Sequence, residues 1–166
     1  MLKKQIQCGI GTYGKAKIKE FDWIYAYEVD GYGMYNLIDD ANVPSLLSIP
    51  YLGYPGDTQV TQNTRRFILS QGNPFYYEGK QTSKIGSPHT KVGYIWHIAM
   101  EGLTSSDSDY KLEMLQKMAA TTAEKGFMHE SFFCQDASLY TREWLPWANA
   151  MYCELFLDYL GYQLKI

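Results

Sequence analysis

Two glutamates stand in short segments that mix acidic, basic and aromatic side chains. Glu130 follows His129 in a loop after a predicted helix, and Glu143 lies between Arg142 and Trp144. A carboxylate in such a loop has the chemistry of a general base, because it can accept a proton from water. By residue type alone, Glu130 is more commonly a capping or hydrogen-bonded loop residue, and Glu143 more commonly complements a helix dipole. These segments therefore contain two candidates for a general base, and residue type alone does not distinguish that role from a structural one.

An acidic doublet, Asp39 and Asp40, begins another polar segment, with Asn42 two residues further on. Two close carboxylates separate their pKa values, so that one can stay protonated. Side chains of adjacent residues rarely point the same way, which instead favours N-capping of a following helix and hydrogen bonds to hydroxyl groups of a ligand. No histidine or third carboxylate stands at ligand spacing from the doublet, so the sequence predicts neither a metal site nor a cofactor.

A loop rich in glycine, serine and proline contains His89 and Thr90. Both side chains can donate a hydrogen bond to a ligand hydroxyl. A histidine in a loop is more often an ordinary surface residue than a ligand-binding one. The residue types of this loop therefore do not by themselves assign His89 to a binding site. His97 stands at an amphipathic helix position and is predicted to be a packed core histidine.

Composition excludes several classes of function. The chain has 15 basic and 18 acidic residues and a net charge of −3, which argues against a nucleic-acid-binding face. Its three cysteines lie far apart without a Cys-x-x-Cys pair, which fits a reducing compartment, and no long apolar run predicts a membrane span. We expect a cytoplasmic protein without nucleic-acid or membrane partners.

Aromatic residues make up 16% of the chain. Such rings can stack on a sugar, although most are expected to pack between helices.

The elements that must position these residues are predicted to be mostly helical. Residues 1–22 are expected to form an irregular or helical leading segment, and residues 23–166 the main domain. Strand-like alternation over residues 23–38, interrupted at Asp30 and Gly31, predicts a small hairpin. Apolar spacing and capping residues predict helices over these ranges: 40–52, 60–70, 92–103, 107–125 and 147–160.

Six segments, taken together, resemble glycoside hydrolase family 125. They are YAYEVDG at residues 25–31, DDANVPSLLS at 39–48, TRRFILS at 64–70, IGSPHT at 85–90, GFMHESF at 126–132 and YTREWLPWAN at 140–149. Each segment alone is a weak signal. Together they follow the order that the family uses and extend from Tyr25 to about Asp158, so the resemblance covers most of the chain.

The resemblance implies a mainly α fold: a partial (α/α)6 toroid of antiparallel helix pairs, with short β-hairpins in the loops. It also implies metal-independent, inverting hydrolysis that releases terminal α-1,6-linked mannose from an α-mannoside glycan. The family places an aspartate general acid upstream, near an Arg-Pro-Ser-Asp-Asp segment that this sequence lacks. We therefore expect the C-terminal part of an exo-α-1,6-mannosidase, containing the general base but not the acid. Its expected protein partner is an acid-bearing N-terminal half, or a second copy through self-association.

Carried onto this sequence, the resemblance makes Glu130 the first candidate for the water-activating base and Glu143 the second. Substrate-binding roles are expected for Asp39, Asp40, Asn42, His89, Thr90, His129 and Trp144. The alternative hypothesis is a non-catalytic sugar-binding or structural remnant of the same fold.

Overall fold

A computed structural model describes residues 2–96 and 98–162. These residues contain five α-helices and nine short strands, with the strands in groups of four, three and two between helices. The chain divides into two compact units, Met1–Pro74 and Phe75–Ile166. The prediction for His97 lies outside the described residues, and the predicted boundary between residues 22 and 23 stays a prediction.

The structure corrects the predicted fold class. The chain is an α+β protein with several small antiparallel sheets, so the predicted mainly α partial (α/α)6 toroid is wrong. The physical reason is that several stretches satisfy their backbone N–H and C=O groups across strand pairs or in turns rather than along a helix. The described residues also contain no helix with the length and apolar character required to cross a membrane.

The first unit combines two helices with two hairpins. Helix α1 spans Leu2–Tyr13 and helix α2 spans Thr58–Ile68. The strands are β1 (Lys15–Ile18), β2 (Asp22–Tyr25), β3 (Glu28–Val29) and β4 (Tyr35–Asn36), and they pair as β1-β2 and β3-β4. The hairpin predicted over residues 23–38 is therefore shorter than expected. Its first residues, Trp23 to Tyr25, pair instead with β1.

Helix α2 confirms the helix predicted over residues 60–70. Its N-cap is Asp57, whose carboxylate accepts the backbone N–H of Val60 at 3.0 Å. Such a cap satisfies one of the free N–H groups of the first turn. The backbone N–H of Tyr25 donates to the Thr64 hydroxyl at 2.8 Å, which fastens β2 to the buried face of α2. Ile68, on that face, is fully buried.

The helix predicted over residues 40–52 is absent, and this stretch forms bends and turns. The carboxylate of Asp39 accepts the backbone N–H of Ala41 at 2.8 Å and that of Leu47 at 2.9 Å. These two bonds fold the segment around a buried carboxylate. Pro44 and Pro50 add no N–H donors, so the regular bonding of a helix does not extend through this stretch.

The second unit packs three helices beside small sheets. The helices are α3 (Ala99–Leu103), α4 (Ser108–Ala120) and α5 (Pro146–Tyr159). The strands are β5 (Tyr76–Tyr77), β6 (Lys84–Ile85), β7 (Tyr94–Trp96), β8 (Ser131–Phe133) and β9 (Asp136–Tyr140). Strands β5 and β6 form a hairpin, and β7, β8 and β9 form a three-stranded antiparallel sheet in that order.

The core of this unit joins helix α3 to helix α5. Gly102 lies so close to α5 that an added Cβ would stand 2.6 Å from Leu155 Cδ1, and Leu155 is fully buried. The indole rings of Trp96 on β7 and Trp147 on α5 meet edge to face, with centroids 6.3 Å apart and planes at 67°. Helix α5 therefore contacts both α3 and the sheet.

A buried charged cluster connects β6 to helices α3 and α4. Lys84 Nζ lies 2.7 Å from Glu101 Oε2, and the side chains are only 10% and 3% exposed. The Tyr110 hydroxyl donates to the same carboxylate oxygen at 2.7 Å. The charge on Glu101 is thus matched by a cation and a hydroxyl, as a buried carboxylate requires.

Two of the remaining predicted helices, over residues 107–125 and 147–160, are confirmed with shifted ends. The third, over residues 92–103, is helical only in its second part. Helix α4 lies within the predicted 107–125, and α5 begins at Pro146, a residue suited to the first turn of a helix. The helix predicted over residues 92–103 is correct only from Ala99, because Tyr94–Trp96 pairs with β8 as a strand.

Candidate functional site

Glu130 lies in the loop between α4 and β8, and backbone bonds hold this loop against the segment before α5. The N–H of Glu130 donates to the carbonyl of Arg142 at 3.3 Å, and the N–H of Leu145 donates to the carbonyl of Met128 at 3.2 Å. The Asn149 side-chain amide on α5 both accepts from the Met128 N–H, at 3.1 Å, and donates to its carbonyl, at 3.0 Å. The two glutamate-bearing segments are therefore brought together by their main chains.

The imidazole of His129 fastens the same two segments. Its ring stacks on the Tyr140 ring, with centroids 3.8 Å apart and planes within 6°, and its Nδ1 bonds the Glu143 carbonyl oxygen. Because a carbonyl only accepts, Nδ1 must bear the proton. His129 is buried, and within the described residues Nε2 has no hydrogen-bond partner.

The Glu130 carboxylate is largely enclosed and has a cationic neighbour. Its side chain is 18% exposed, and Oε1 lies 3.5 Å from Nε of Arg142, whose side chain is 69% exposed. The pair therefore stands at an opening to solvent, with the carboxylate inside and the guanidinium outside. A carboxylate in this position can accept a proton from a water molecule that reaches it from one side.

Glu143 has a more open environment. Its side chain is 56% exposed and lies 3.8 Å from Lys125 Nζ, and the Tyr140 hydroxyl donates to it at 3.3 Å. The neighbouring Trp144 is also exposed. The two glutamates thus share one region but differ in enclosure.

His89 and Thr90 lie on the loop that follows β6. The Thr90 hydroxyl donates to the Ser87 carbonyl at 3.2 Å, and the His89 ring centroid is 6.5 Å from the ring of Trp96. Trp96 in turn is the register partner of Ser131 on β8, the residue after Glu130. The His89 loop and the Glu130 loop therefore both adjoin the pairing of β7 with β8.

Asp39, Asp40 and Asn42 lie in the first unit, whereas the other predicted site residues lie in the second. Asp39 is fully buried, and desolvation raises the pKa of its carboxyl, opposed by the backbone N–H bonds from Leu47 and Ala41. These bonds use both of its oxygens. Asp39 therefore holds the loop, and its predicted sugar contact stays a prediction.

Asp40 belongs to a small hydrogen-bond network with Tyr27, a residue that the sequence did not mark as part of the site. Asp40 Oδ2 accepts from the Tyr27 hydroxyl at 3.0 Å and from the Asn42 side-chain amide at 2.9 Å. Burial, together with the hydrogen bond to Asp40, raises the pKa of Tyr27 to about 12. The signal for Tyr27 was its place in the YAYEVDG segment, and Tyr140 similarly opens the YTREW segment.

Potential metal ligands do not gather within the described residues: no group of three or more His, Cys, Asp or Glu side chains there could hold an ion. The side chains of the Glu130 loop are a carboxylate with the Arg142 guanidinium 3.5 Å away and the His129 imidazole stacked on Tyr140. Proton transfer and hydrogen bonding are therefore the functions that these side chains offer.

Comparison with known proteins relates this chain to a family profile, a curated protein and a solved structure. Residues 1–157 match the profile of a family described as metal-independent α-mannosidase (GH125). The chain is 46% identical over 160 residues to the meiotically up-regulated gene 157 protein of Schizosaccharomyces pombe. The matched region covers 94% of this chain and 31% of that protein. It also matches a solved Streptococcus pneumoniae structure with a TM-score of 0.94 and 47% identity, over 98% of this chain and 39% of that one.

The S. pneumoniae structure comes from work on metal-independent α-mannosidases and the processing of N-linked glycans, and it is a non-productive substrate complex with α-1,6-mannobiose. This chain spans about a third of the length of the curated relative and 39% of the solved one.

Proposed function

This chain belongs to the metal-independent α-mannosidase family GH125, and from that premise we propose that it supplies the general-base side of a glycoside hydrolase, an inverting exo-α-1,6-mannosidase. The observation that carries the proposal is the enclosed carboxylate of Glu130, which faces the exposed guanidinium of Arg142 at 3.5 Å. The proposed substrate is a glycan that ends in an α-1,6-linked mannose.

In the proposed reaction, Glu130 takes a proton from a water molecule while the water oxygen bonds to the anomeric carbon of the terminal mannose. A second carboxyl group, about 6.5–9.5 Å away across the sugar, protonates the departing glycosidic oxygen. We assign that second role to no residue of this chain. The family resemblance places the acid in an upstream segment, so the complete site is proposed to need further polypeptide.

The enclosure of the two glutamates supports Glu130 over Glu143 as the base. A general base needs a fixed position relative to the water that it activates. The Glu130 side chain is 18% exposed, whereas the Glu143 side chain is 56% exposed and lies 3.8 Å from Lys125 Nζ. We propose that Glu143 instead serves through its backbone carbonyl, which orients His129 beside Glu130.

Sugar contacts are proposed for polar side chains at the ends of the loops and for one indole. In the first unit, Asp40 and Asn42 offer oxygen and amide groups to a sugar hydroxyl. In the second unit, His89, Thr90 and His129 offer hydroxyl or imidazole groups for the same kind of contact. The exposed Trp144 ring offers a face on which the C–H side of a pyranose can stack. The α-1,6-mannobiose bound to the S. pneumoniae relative motivates the choice of linkage.

The test uses a single polypeptide that joins this chain to the part of the S. pneumoniae relative outside the match. Proton NMR during hydrolysis of α-1,6-mannobiose would identify the first anomer released. The proposal expects β-mannose to appear before mutarotation, because inversion of an α-linkage gives the β-anomer. Initial release of α-mannose would overturn the inverting mechanism, and absence of hydrolysis with retained binding would favour a non-catalytic sugar-binding role.

A further inference from the structure

The imidazole of His129 has one ring nitrogen available for a further hydrogen bond inside the second unit. Its Nδ1 donates to the Glu143 carbonyl oxygen, so Nε2 of the neutral ring is an acceptor. The residue is 5% exposed, and none of the residues that the structure describes donates to Nε2. Buried polar atoms in folded proteins nearly always have a partner, because a buried acceptor without a donor is unfavourable.

A small cavity adjoins this imidazole. Its volume is about 20 Å³, and His129 forms part of its wall. The rest of the wall consists of Thr121, directly after α4, and four apolar residues: Ile98, Met118, Met128 and Phe132. A cavity needs roughly 10–15 Å³ and at least two polar partners to hold a water molecule. This cavity therefore has the size for one water and is too small for a sugar or a phosphate.

Thr121 supplies the second polar side chain of the cavity wall. The residue is buried, and its hydroxyl proton is directed to the α4 backbone, with Oγ1 3.0 Å from the Lys117 carbonyl and 3.1 Å from that of Met118. A hydroxyl has one proton and two lone pairs, so Oγ1 can still accept a hydrogen bond. The cavity thus offers two acceptors, His129 Nε2 and Thr121 Oγ1, to a molecule with two donors.

We propose that this cavity is a binding site for one ordered water molecule, which donates one hydrogen bond to His129 Nε2 and the other to Thr121 Oγ1. Water has the size and the two O–H donors that the site requires. An ammonium ion is of similar size, but it would place a charge and two further N–H donors against apolar walls, which is unfavourable. The wall therefore selects a neutral molecule over a cation.

The water connects the loop of Glu130 to a third element. His129 already contacts Tyr140 at the end of β9 and the Glu143 carbonyl before α5. Through Thr121, the water adds the C-terminal end of α4. It also fixes the imidazole in the tautomer that has its proton on Nδ1. Because Glu130 directly follows His129, the water is a determinant of where this loop lies.

The direct sugar contact proposed above for His129 would need the same nitrogen, since Nδ1 is engaged by the Glu143 carbonyl. A mannose hydroxyl and the internal water therefore compete for Nε2. The burial of His129 favours the water. This inference concerns the fold of the loop and does not depend on hydrolysis, so it can be tested whether or not the proposed mannosidase activity is found.

NMR spectroscopy of this chain, with nitrogen-15 in its histidines, provides the test. We expect Nδ1 to be protonated and Nε2 unprotonated, and the ring protons beside Nε2 to show cross-relaxation with a long-lived water. Oxygen-17 relaxation of the solvent detects long-lived waters without interference from hydroxyl protons. Thr121→Val keeps the shape of the side chain and removes Oγ1. This variant should lose one long-lived water, and its Glu130 amide should exchange about fivefold faster.

Two further variants serve as controls. Thr121→Ser keeps the hydroxyl and should retain the water. Thr122→Val is the matched change at the next residue, whose hydroxyl donates to the Ala119 carbonyl at an exposed position, and it should also retain the water. Loss of the water in Thr122→Val, or its persistence in Thr121→Val, would overturn the proposal.

The parent chain alone also decides the question if Thr121→Val does not fold. A protonated Nε2, or ring protons that show no contact with a long-lived water, would overturn the proposal. Replacement of the water signal at His129 by a signal from added α-1,6-mannobiose would do the same, because it would assign Nε2 to the sugar.

Discussion

The ring of His129 lies flat against the ring of Tyr140, with the two centroids 3.8 Å apart. The imidazole also bonds the carbonyl of Glu143 through Nδ1. One side chain therefore holds both the end of β9 and the segment before α5 beside Glu130. The position of the Glu130 loop depends on this clamp, which is defined here as His129, Tyr140 and the Glu143 carbonyl.

Replacing His129 by alanine should destabilise the second unit. The change removes an aromatic stack and a hydrogen bond from a buried site, so the free energy of unfolding should fall by about 2 kcal/mol. Tyr140→Phe is the matched control, because it keeps the stacked ring and loses only the hydroxyl. Guanidinium unfolding of both variants measures the difference, and equal losses would contradict the importance of the stack.

Glu130→Gln should lower kcat of the joined, hydrolytically complete polypeptide by about 10²–10⁴-fold, the usual contribution of a general base. Glutamine retains the shape and one acceptor, so KM for α-1,6-mannobiose should change far less than kcat. Steady-state release of mannose provides the measurement.

Glu143→Gln is the companion variant for that assay. Its carbonyl, which orients His129, is unaffected by the substitution, so activity should remain close to the parent. If Glu143→Gln abolishes turnover while Glu130→Gln stays active and equally stable, the roles of the two glutamates are reversed.

Lys84→Met should destabilise the second unit, because it removes the ammonium group that lies 2.7 Å from the buried Glu101 carboxylate. Breaking a buried ion pair from one side costs about 3–5 kcal/mol of unfolding free energy. The exposed pair of Lys117 and Glu113, 2.7 Å apart, offers a control: Lys117→Met should cost less than about 0.5 kcal/mol. Chemical denaturation of both variants compares them.

The double variant Lys84→Met with Glu101→Leu distinguishes lost charge pairing from lost packing. Replacement of both charges by apolar side chains is often close to neutral. The double variant should therefore be more stable than Lys84→Met alone. A double variant that is less stable than the single one would show that Glu101 makes stabilising contacts besides its pairing with Lys84.

Tyr27 should make stability depend on pH in the alkaline range. Its pKa is about 12 in the folded chain, against the ordinary 10.0. Between these values the unfolded state releases the phenol proton while the folded state keeps it, so stability should fall as pH rises from 10 to 12. The stability of the parent relative to Tyr27→Phe should decrease through this window, as measured by denaturation at each pH. A constant difference would contradict the raised pKa.

The sequence predicted correctly those helices and strands whose stabilising contacts come from residues nearby in the chain. Helix α2 has its cap at Asp57 and its buried face at Val60, Thr64 and Phe67, all within a few residues. Strand β7 is different, because Tyr94–Trp96 becomes extended only through pairing with β8, more than thirty residues further on. Apolar spacing alone does not distinguish these cases.

The candidate site shows the same division. The six motifs placed His129 and Glu130 together, but they did not show that Tyr140 stacks on His129 or that Glu130 is more enclosed than Glu143. Asp39 illustrates the limit most clearly, since an acidic doublet suggests ligand binding. In the structure, both Asp39 carboxylate oxygens instead accept hydrogen bonds from backbone N–H groups of the same loop. These bonds depend on the path of residues 41–47, which the sequence pattern does not predict.

The edge-to-face contact of Trp96 and Trp147 gives the second unit a built-in optical marker. Two indoles with centroids 6.3 Å apart and planes inclined at 67° couple their electronic transitions, which produces paired bands of opposite sign in circular dichroism. One ring belongs to β7 and the other to α5, so this couplet exists only while the helix packs on the sheet. Its loss on heating would report detachment of α5 separately from the melting of helical backbone.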